Sequence, residues 1–221
     1  IKTKLADLAT YHLQIRPGTN VAILNMICHY IIADNLVDDH FIKEHTEKYE
    51  EFKGHVEGLN MDELSVLTGV DKELVKKAAF AYASAERAME FHGLGVTEHF
   101  QGSKTVMLLS NLAMMTGNIG RNGVGLNPLR GQNNVQGAAD MGVQPHQGAG
   151  YMDINKPEVQ QYYADKYGVE KMPEREGYKI PQMLDAAIDG KLKALYIMGE
   201  DTIMTDPNTN HSIKAFENLE L

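Results

Sequence analysis

The chain has 221 residues, enough for one domain or two small ones with a true core. Hydrophobic residues make up 43% and charged residues 23%, which is ordinary for a soluble globular protein. The net charge of -9, without clustered Lys and Arg, argues against a nucleic-acid binder, and no apolar run approaches the roughly 20 residues of a membrane span. The first residues include neither an initiator Met nor a hydrophobic signal region, so we expect an interior piece of a longer chain.

Cysteine and histidine usage excludes several kinds of site. Cys28 is the single cysteine, so an internal disulfide or a cysteine-bound iron–sulfur cluster within this chain is excluded. It lies in an apolar helical stretch, which favours a buried hydrophobe over a reactive thiol. The nine histidines do not follow a metal-binding spacing, and we predict no metal site built by this chain.

The first third of the chain is predicted to be mostly helical. Turn residues at 17–20 precede apolar residues at helical spacing up to about Asn35. Further helices are predicted from Asp38, over 49–57, and over 61–70 with a closing Gly69. Asp71 is a candidate N-cap for a helix that continues to Tyr82.

The pattern changes after Arg87. Residues 88–92 predict a strand that runs into a glycine-rich loop at 93–97, and residues 103–115 predict a helix. A strand, a loop and a helix in this order place the loop where α/β proteins bind ligands. Residues 117–150 lack apolar periodicity and are rich in Gly, Asn and Gln, so we interpret them as a functional loop.

The last third predicts helices over 156–167 and 180–189, and a buried strand over 193–198. A final helix is predicted from Pro207 through Leu219. Residues 219–221 resemble the approach to another strand.

Three segments carry candidate chemistry, each with an ordinary structural alternative. Gly-x-Gly at 93–95 allows close approach of a ligand, although a tight turn explains it as well. Residues 117–138 combine amide side chains suited to a large heterocycle with Arg130, whose guanidinium can hold a carboxylate by two hydrogen bonds. A pairing of Arg130 with Asp140 is the alternative. Residues 198–206 offer Asp201 and hydroxyl groups for guanine or ribose, or simply a helix cap.

Residues 127–138 (NPLRGQNNVQGA) closely resemble the signature loop of the catalytic subunit of molybdenum- or tungsten-dependent formate dehydrogenases. Residues 93–97 (GLGVT), 112–120 (LAMMTGNIG) and 198–201 (MGED) resemble other segments of that family in the same order. The resemblance covers nearly the whole chain, from about Pro17 to Leu221, and the arginine-containing motif is its most specific part.

The resemblance implies an α/β fold made of parts of two Rossmann-like domains, residues 1–132 and 133–221, of the molybdopterin oxidoreductase fold. The family binds two molybdopterin guanine dinucleotides around one Mo or W and oxidises formate reversibly to carbon dioxide. Arg130 matches the arginine that holds formate beside the metal. The matching cofactor contacts are Gln132, Gly95, Thr97, Asp201 and Thr205.

This sequence departs from the family pattern at Ala139, where a cysteine is common, and over residues 143–147. The cysteines of a 4Fe-4S cluster and the metal-ligating Cys or selenocysteine with its neighbouring histidine match no residue here, so we expect the chain alone to be inactive. The implied partners are formate and carbon dioxide, the remainder of the catalytic subunit, and electron-transfer subunits. We expect a cytoplasmic rather than a periplasmic protein.

Two alternatives to formate oxidation remain. The first is another molybdopterin oxidoreductase such as a nitrate reductase, in which a different residue replaces Arg130. The second is a non-catalytic molybdopterin-like subunit of a respiratory complex, for which a disrupted arginine and amide loop is expected. The intact motif favours formate oxidation over both.

Overall fold

The computed structural model describes residues 2–221, which divide into two compact units, one ending at Asn133 and the other running from Asn134 to Leu221. The elements of the first unit are α1 (Lys4–Leu8), α2 (Asn20–Ala33), α3 (Asp39–His45), α4 (Tyr49–Glu57), α5 (Met61–Thr68), α6 (Lys72–Ala83), β1 (Met89–His92), α7 (Leu94–Thr97), α8 (Gly102–Met115) and β2 (Gly125–Pro128).

Helix α2 forms the centre of the first unit. It is apolar on nearly all sides, which is typical of a helix that is buried all round, and α4, α5, α6 and α8 pack against it. Met26, Cys28 and Ile31 are fully buried there. Burial raises the pKa of the Cys28 thiol to about 12, so the prediction of a buried, unreactive cysteine is confirmed.

Local signals placed the helices of this unit correctly. Asp38 accepts a hydrogen bond from the backbone N–H of Phe41 and so caps α3. Asp71 caps α6 by accepting from two backbone N–H groups. Gly69 ends α5 with a φ of 74°, a left-handed conformation that glycine adopts without steric cost. The predicted N-cap at Asp71 and the closing role of Gly69 are therefore confirmed.

The strand prediction for 88–92 is confirmed as β1, but two neighbouring predictions are wrong. Residues 94–97 form the one-turn helix α7, because the Gly93 carbonyl accepts hydrogen bonds from the N–H groups of Val96 and Thr97. Residues 117–150 are not one loop: they contain β2, which pairs in parallel with β1, and a short helix beyond it. β2 is only four residues long and is held in place by its pairing with β1. So short a strand carries no apolar repeat that the sequence could reveal.

The second unit contains α9 (Val135–Asp140), the antiparallel pair β3 (Gln147–Gly148) and β4 (Met152–Asp153), a 3-10 turn (Ala149–Tyr151), α10 (Pro157–Tyr167), α11 (Ile180–Ile188), α12 (Thr202–Thr205) and α13 (Thr209–Glu217). Its small core joins α11 to α13 through Leu184, Ala187 and Ala215. The predicted helices at 156–167 and 180–189 are confirmed. The last helix starts at Thr209, because Asn208 rather than Pro207 supplies the cap.

The predicted buried strand at 193–198 is wrong. Tyr196 is 89% and Met198 80% exposed. Within residues 2–221, backbone bonds join this segment only to 220 and 221, where Lys193 accepts from Leu221 and Leu195 donates to it. A parallel strand is buried only when neighbouring strands and helices cover it, and an apolar sequence does not by itself provide these neighbours.

No helix among residues 2–221 is both long and apolar enough to cross a bilayer.

Candidate functional site

The candidate site lies at the carboxyl ends of the two parallel strands. β1 and β2 are in register from Met89 opposite Gly125 to His92 opposite Pro128. Just beyond them, the backbone N–H of Leu129 donates a 2.6 Å hydrogen bond to the His92 carbonyl. This bond fixes Leu129, the residue before Arg130, to the end of β1. In α/β proteins, ligands bind at this end of parallel strands.

A cavity of about 440 Å³ opens at this position. We call it the Arg130 cavity. It is lined by His92, Gly93, Leu94, Thr97, Val106, Leu126, Pro128, Leu129 and Arg130. Its walls are largely aliphatic and its polar groups are few, which is the usual composition of a small-molecule site.

Arg130 is the one full positive charge lining the cavity. The Arg130 side chain is exposed, and its guanidinium forms no ion pair among residues 2–221. Asp140, the alternative partner, belongs to the second unit, where its carboxylate accepts hydrogen bonds from Tyr151 at 2.6 Å and from Gln136 at 3.1 Å. These two bonds lower the pKa of Asp140. A guanidinium without an acidic partner beside an apolar cavity is suited to hold a small carboxylate.

The other residues predicted for this part of the site are only partly brought together. Thr97 lines the cavity with Arg130, whereas Gly95 and Gln132 are exposed and do not line it. A Cβ built on Gly95 would meet nothing within 4 Å, so the backbone there is open to approach. The assignment of Gly95, Thr97 and Gln132 as cofactor contacts stays a prediction.

The position of Thr97 depends on a close contact behind it. A Cβ added at the buried Gly102 would lie 2.1 Å from the Thr97 carbonyl oxygen. No side chain fits in that space, so glycine is required for α7 and α8 to approach one another. The close packing of Gly102 against the Thr97 carbonyl therefore fixes the position of Thr97 on the cavity wall.

In the second unit, Asp201 and Thr205 stand on either end of the one-turn helix α12. The Asp201 carboxylate accepts a 3.3 Å bond from the Met204 N–H, and the Thr205 hydroxyl donates to the Asp201 carbonyl at 3.0 Å. Thr205 also contacts the Glu200 carboxylate. The helix cap that the sequence left as an alternative is therefore present. The cap occupies one carboxylate oxygen of the exposed Asp201 side chain. The binding of a nucleotide by Asp201 and Thr205 stays a prediction.

His92 and Glu90 were not predicted from the sequence as functional residues. Both are 8% exposed and point to the covered face of β1, while Met89 and Phe91 on the other face are exposed. His92 lines the Arg130 cavity. The sequence signal for these two residues was the alternation of polar and apolar residues along β1. That alternation does not show which face of the strand is buried.

Glu90 lies in a hydrogen-bonded network behind the strand. Its Oε1 accepts a 2.6 Å bond from the Tyr82 hydroxyl, and its Oε2 is buried without a partner among the described residues. Burial raises the pKa of Glu90 to about 7, against a smaller lowering by the Tyr82 bond. Burial, and then the bond to Glu90, also raise the pKa of Tyr82. The network is therefore sensitive to pH near neutrality.

Comparison with known proteins places this chain in a family. The sequence profile described as "Molybdopterin oxidoreductase" matches residues 2–221. Formate dehydrogenase H of Escherichia coli (strain K12) is 42% identical over 220 residues, covering 100% of this chain and 31% of that protein. The F420-dependent formate dehydrogenase subunit alpha of Methanocaldococcus jannaschii is 44% identical over 220 residues, covering 99% of this chain and 32% of that protein. The chain thus spans about a third of the length of these relatives.

A solved structure agrees at the level of the fold. Acetylene hydratase from Pelobacter acetylenicus matches with a TM-score of 0.70 at 18% identity, covering 100% of this chain and 32% of the other. The predicted α/β fold, part of the molybdopterin oxidoreductase fold, is confirmed, while the assignment of residues 1–132 and 133–221 to separate Rossmann-like domains stays a prediction. The chain belongs to the molybdopterin oxidoreductase family.

Proposed function

We propose that the full-length protein containing this chain is a formate dehydrogenase, which oxidises formate to carbon dioxide and can run in reverse. The observation that carries the proposal is Arg130, unpaired among residues 2–221 and lining an apolar cavity at the ends of two parallel strands. The names of the E. coli and M. jannaschii relatives support the same substrate. The intact arginine and amide motif favours this function over nitrate reduction and over a non-catalytic subunit.

The residues around the cavity fit a molybdopterin cofactor. His92 presents a buried Nδ1 without a hydrogen-bond partner, and the backbone at Gly95 is open to approach. Gln132 and Thr97 would supply neutral polar groups to the pterin, and Asp201 and Thr205 would hold the guanine dinucleotide portion. When bound, the cofactor's metal supplies the acceptor for the two electrons that formate loses. We propose two guanine dinucleotide cofactors with Mo or W and a 4Fe-4S cluster outside this chain.

Arg130 contributes positioning and charge rather than proton transfer. A guanidinium keeps its proton at all physiological pH values and can donate two parallel hydrogen bonds to one carboxylate. Held this way, formate loses rotational freedom and presents its C–H bond in one direction. Leu94, Val106 and Leu126 give the cavity aliphatic walls, so these side chains do not compete with formate for the guanidinium. One C–H bond breaks, and carbon dioxide, one proton and two electrons leave.

The test is Arg130→Lys in the full-length enzyme, with formate-dependent dye reduction as the measurement. Lysine keeps the charge but loses the two-bond geometry, so we expect kcat/KM for formate to fall by roughly 10- to 100-fold. Arg175→Lys, at an exposed position of the second unit, is the matched control and should behave as the parent enzyme. Near-normal formate turnover in Arg130→Lys would refute the assignment.

The cellular setting is part of the proposal. Electron-transfer subunits would accept the electrons from the cluster, and the protein would be cytoplasmic. The chain by itself, without the proposed cluster and metal ligand, would not turn over formate.

A further inference from the structure

His92 occupies an unusual position for a histidine. It is 8% exposed at the end of β1, and its Nδ1 atom is buried without a hydrogen-bond partner among residues 2–221. Burying a polar atom without a partner is unfavourable, and nearly all such atoms in native proteins are satisfied by protein or by a bound molecule. A phenyl ring would fill the same space without that cost. The position therefore needs an explanation beyond packing.

The surroundings of His92 indicate a ligand. The His92 carbonyl accepts the hydrogen bond from the N–H of Leu129, the residue before Arg130. The strand partner of His92 is Pro128, two residues before Arg130. His92 and Arg130 line the same cavity. Apart from the Thr97 hydroxyl, the remaining side chains on the cavity wall are aliphatic, so the side chains that can donate to an anion there are those of Arg130, His92 and Thr97.

We propose that His92 is a second ligand-binding residue of the Arg130 cavity, whose imidazole N–H donates a hydrogen bond to an oxyanion held by Arg130. This rests on the proposed function in that Arg130 binds the ligand. A neutral imidazole carries one N–H donor, and a second donor in the cavity with the guanidinium restricts the orientations that a bound oxyanion can adopt. The oxyanion is either the carboxylate of formate or a phosphate of the dinucleotide cofactor.

The experiment compares three variants of the full-length enzyme. His92→Phe keeps the ring and removes the hydrogen bond. His92→Asn restores an amide N–H near the position of Nδ1. His55→Phe, on the exposed side of α4, is the control for the loss of a histidine. The readouts are pterin and metal content of the purified protein, and KM and kcat for formate measured separately.

If the ligand is formate, His92→Phe raises KM about tenfold with normal pterin and metal content, as expected for one lost hydrogen bond to a charged group. If the ligand is a cofactor phosphate, the same variant instead purifies with markedly less pterin. In both cases His92→Asn recovers most of the loss. Unchanged KM and pterin content in His92→Phe overturns the proposal, and so does an equal loss in Phe and Asn variants, because only ring shape would then matter.

Two further comparisons keep the test decisive. If His92→Phe does not fold by circular dichroism, His92→Gln is compared with His92→Asn: Asn should retain more function, since its amide stands nearer Nδ1, and equal behaviour overturns the proposal. If the parent enzyme contains pterin but does not reduce dye with formate, the proposed function fails. The pterin content of the His92 variants then still decides whether His92 contacts a cofactor oxyanion.

Discussion

Replacing Glu90 with Gln is the most informative perturbation of the scaffold behind the cavity. Glu90 lies inside β1 at 8% exposure, and its Oε1 accepts a 2.6 Å bond from the Tyr82 hydroxyl. Glutamine has nearly the same shape, and its amide oxygen can accept the same bond. The substitution therefore removes the titrating group while leaving the packing and the Tyr82 contact in place.

The size and sign of the effect follow from the pKa of Glu90. Burial raises it from 4.5 to about 7, so the folded state binds the proton more tightly than the unfolded chain. The resulting stabilisation is fully present below pH 4.5 and is lost as pH rises through about 7. At about 1.4 kcal/mol for each pH unit, the whole contribution is on the order of 3 kcal/mol.

Urea unfolding of the chain at about pH 5 and about pH 8, followed by circular dichroism, measures this contribution. Between these conditions the free energy of unfolding of the parent should fall by roughly 2 to 3 kcal/mol more than that of Glu90→Gln. Glu57→Gln, an exposed carboxylate of α4, is the matched control and should keep the parent's pH dependence. Identical pH dependence in the parent and Glu90→Gln would refute the assignment of a buried, proton-binding Glu90.

Two further predictions concern the site. Gly102→Ala should lower the free energy of unfolding by roughly 1 to 3 kcal/mol, because its Cβ would lie 2.1 Å from the Thr97 carbonyl oxygen. Gly54→Ala, inside α4 with nothing within 4 Å of the new Cβ, should instead raise it by about 0.5 to 1 kcal/mol, and equal effects in urea unfolding would contradict the steric argument. Asp201→Asn in the full-length enzyme should leave the melting temperature within a few degrees, since Asn caps a helix as well as Asp. If Asp201 binds guanine, the same variant should lose guanine dinucleotide on purification. Full retention of the nucleotide would leave Asp201 as a helix cap alone.

Much of the fold and part of the site could be predicted from the sequence. Helix ends such as Asp71 and Gly69 are decided by hydrogen bonds within a few residues, so local sequence suffices to place them. The motif around Arg130 was sufficient to indicate the family that the comparisons then showed. The buried state of Cys28 also followed from its apolar neighbours along α2.

Tertiary structure alone decided which residues meet. The Arg130 cavity exists because β2 pairs with β1 across the intervening α8, and the pairing of two four-residue strands leaves no periodic signal in either. The same pairing turned Glu90 and His92 towards the covered face, which no local pattern could specify. Residues 193–198 show the converse: an apolar run with strand character stays exposed where neighbours to cover it are lacking among residues 2–221. Capping and helical spacing are short-range effects and can be read along the chain, whereas burial and strand pairing depend on residues distant in sequence.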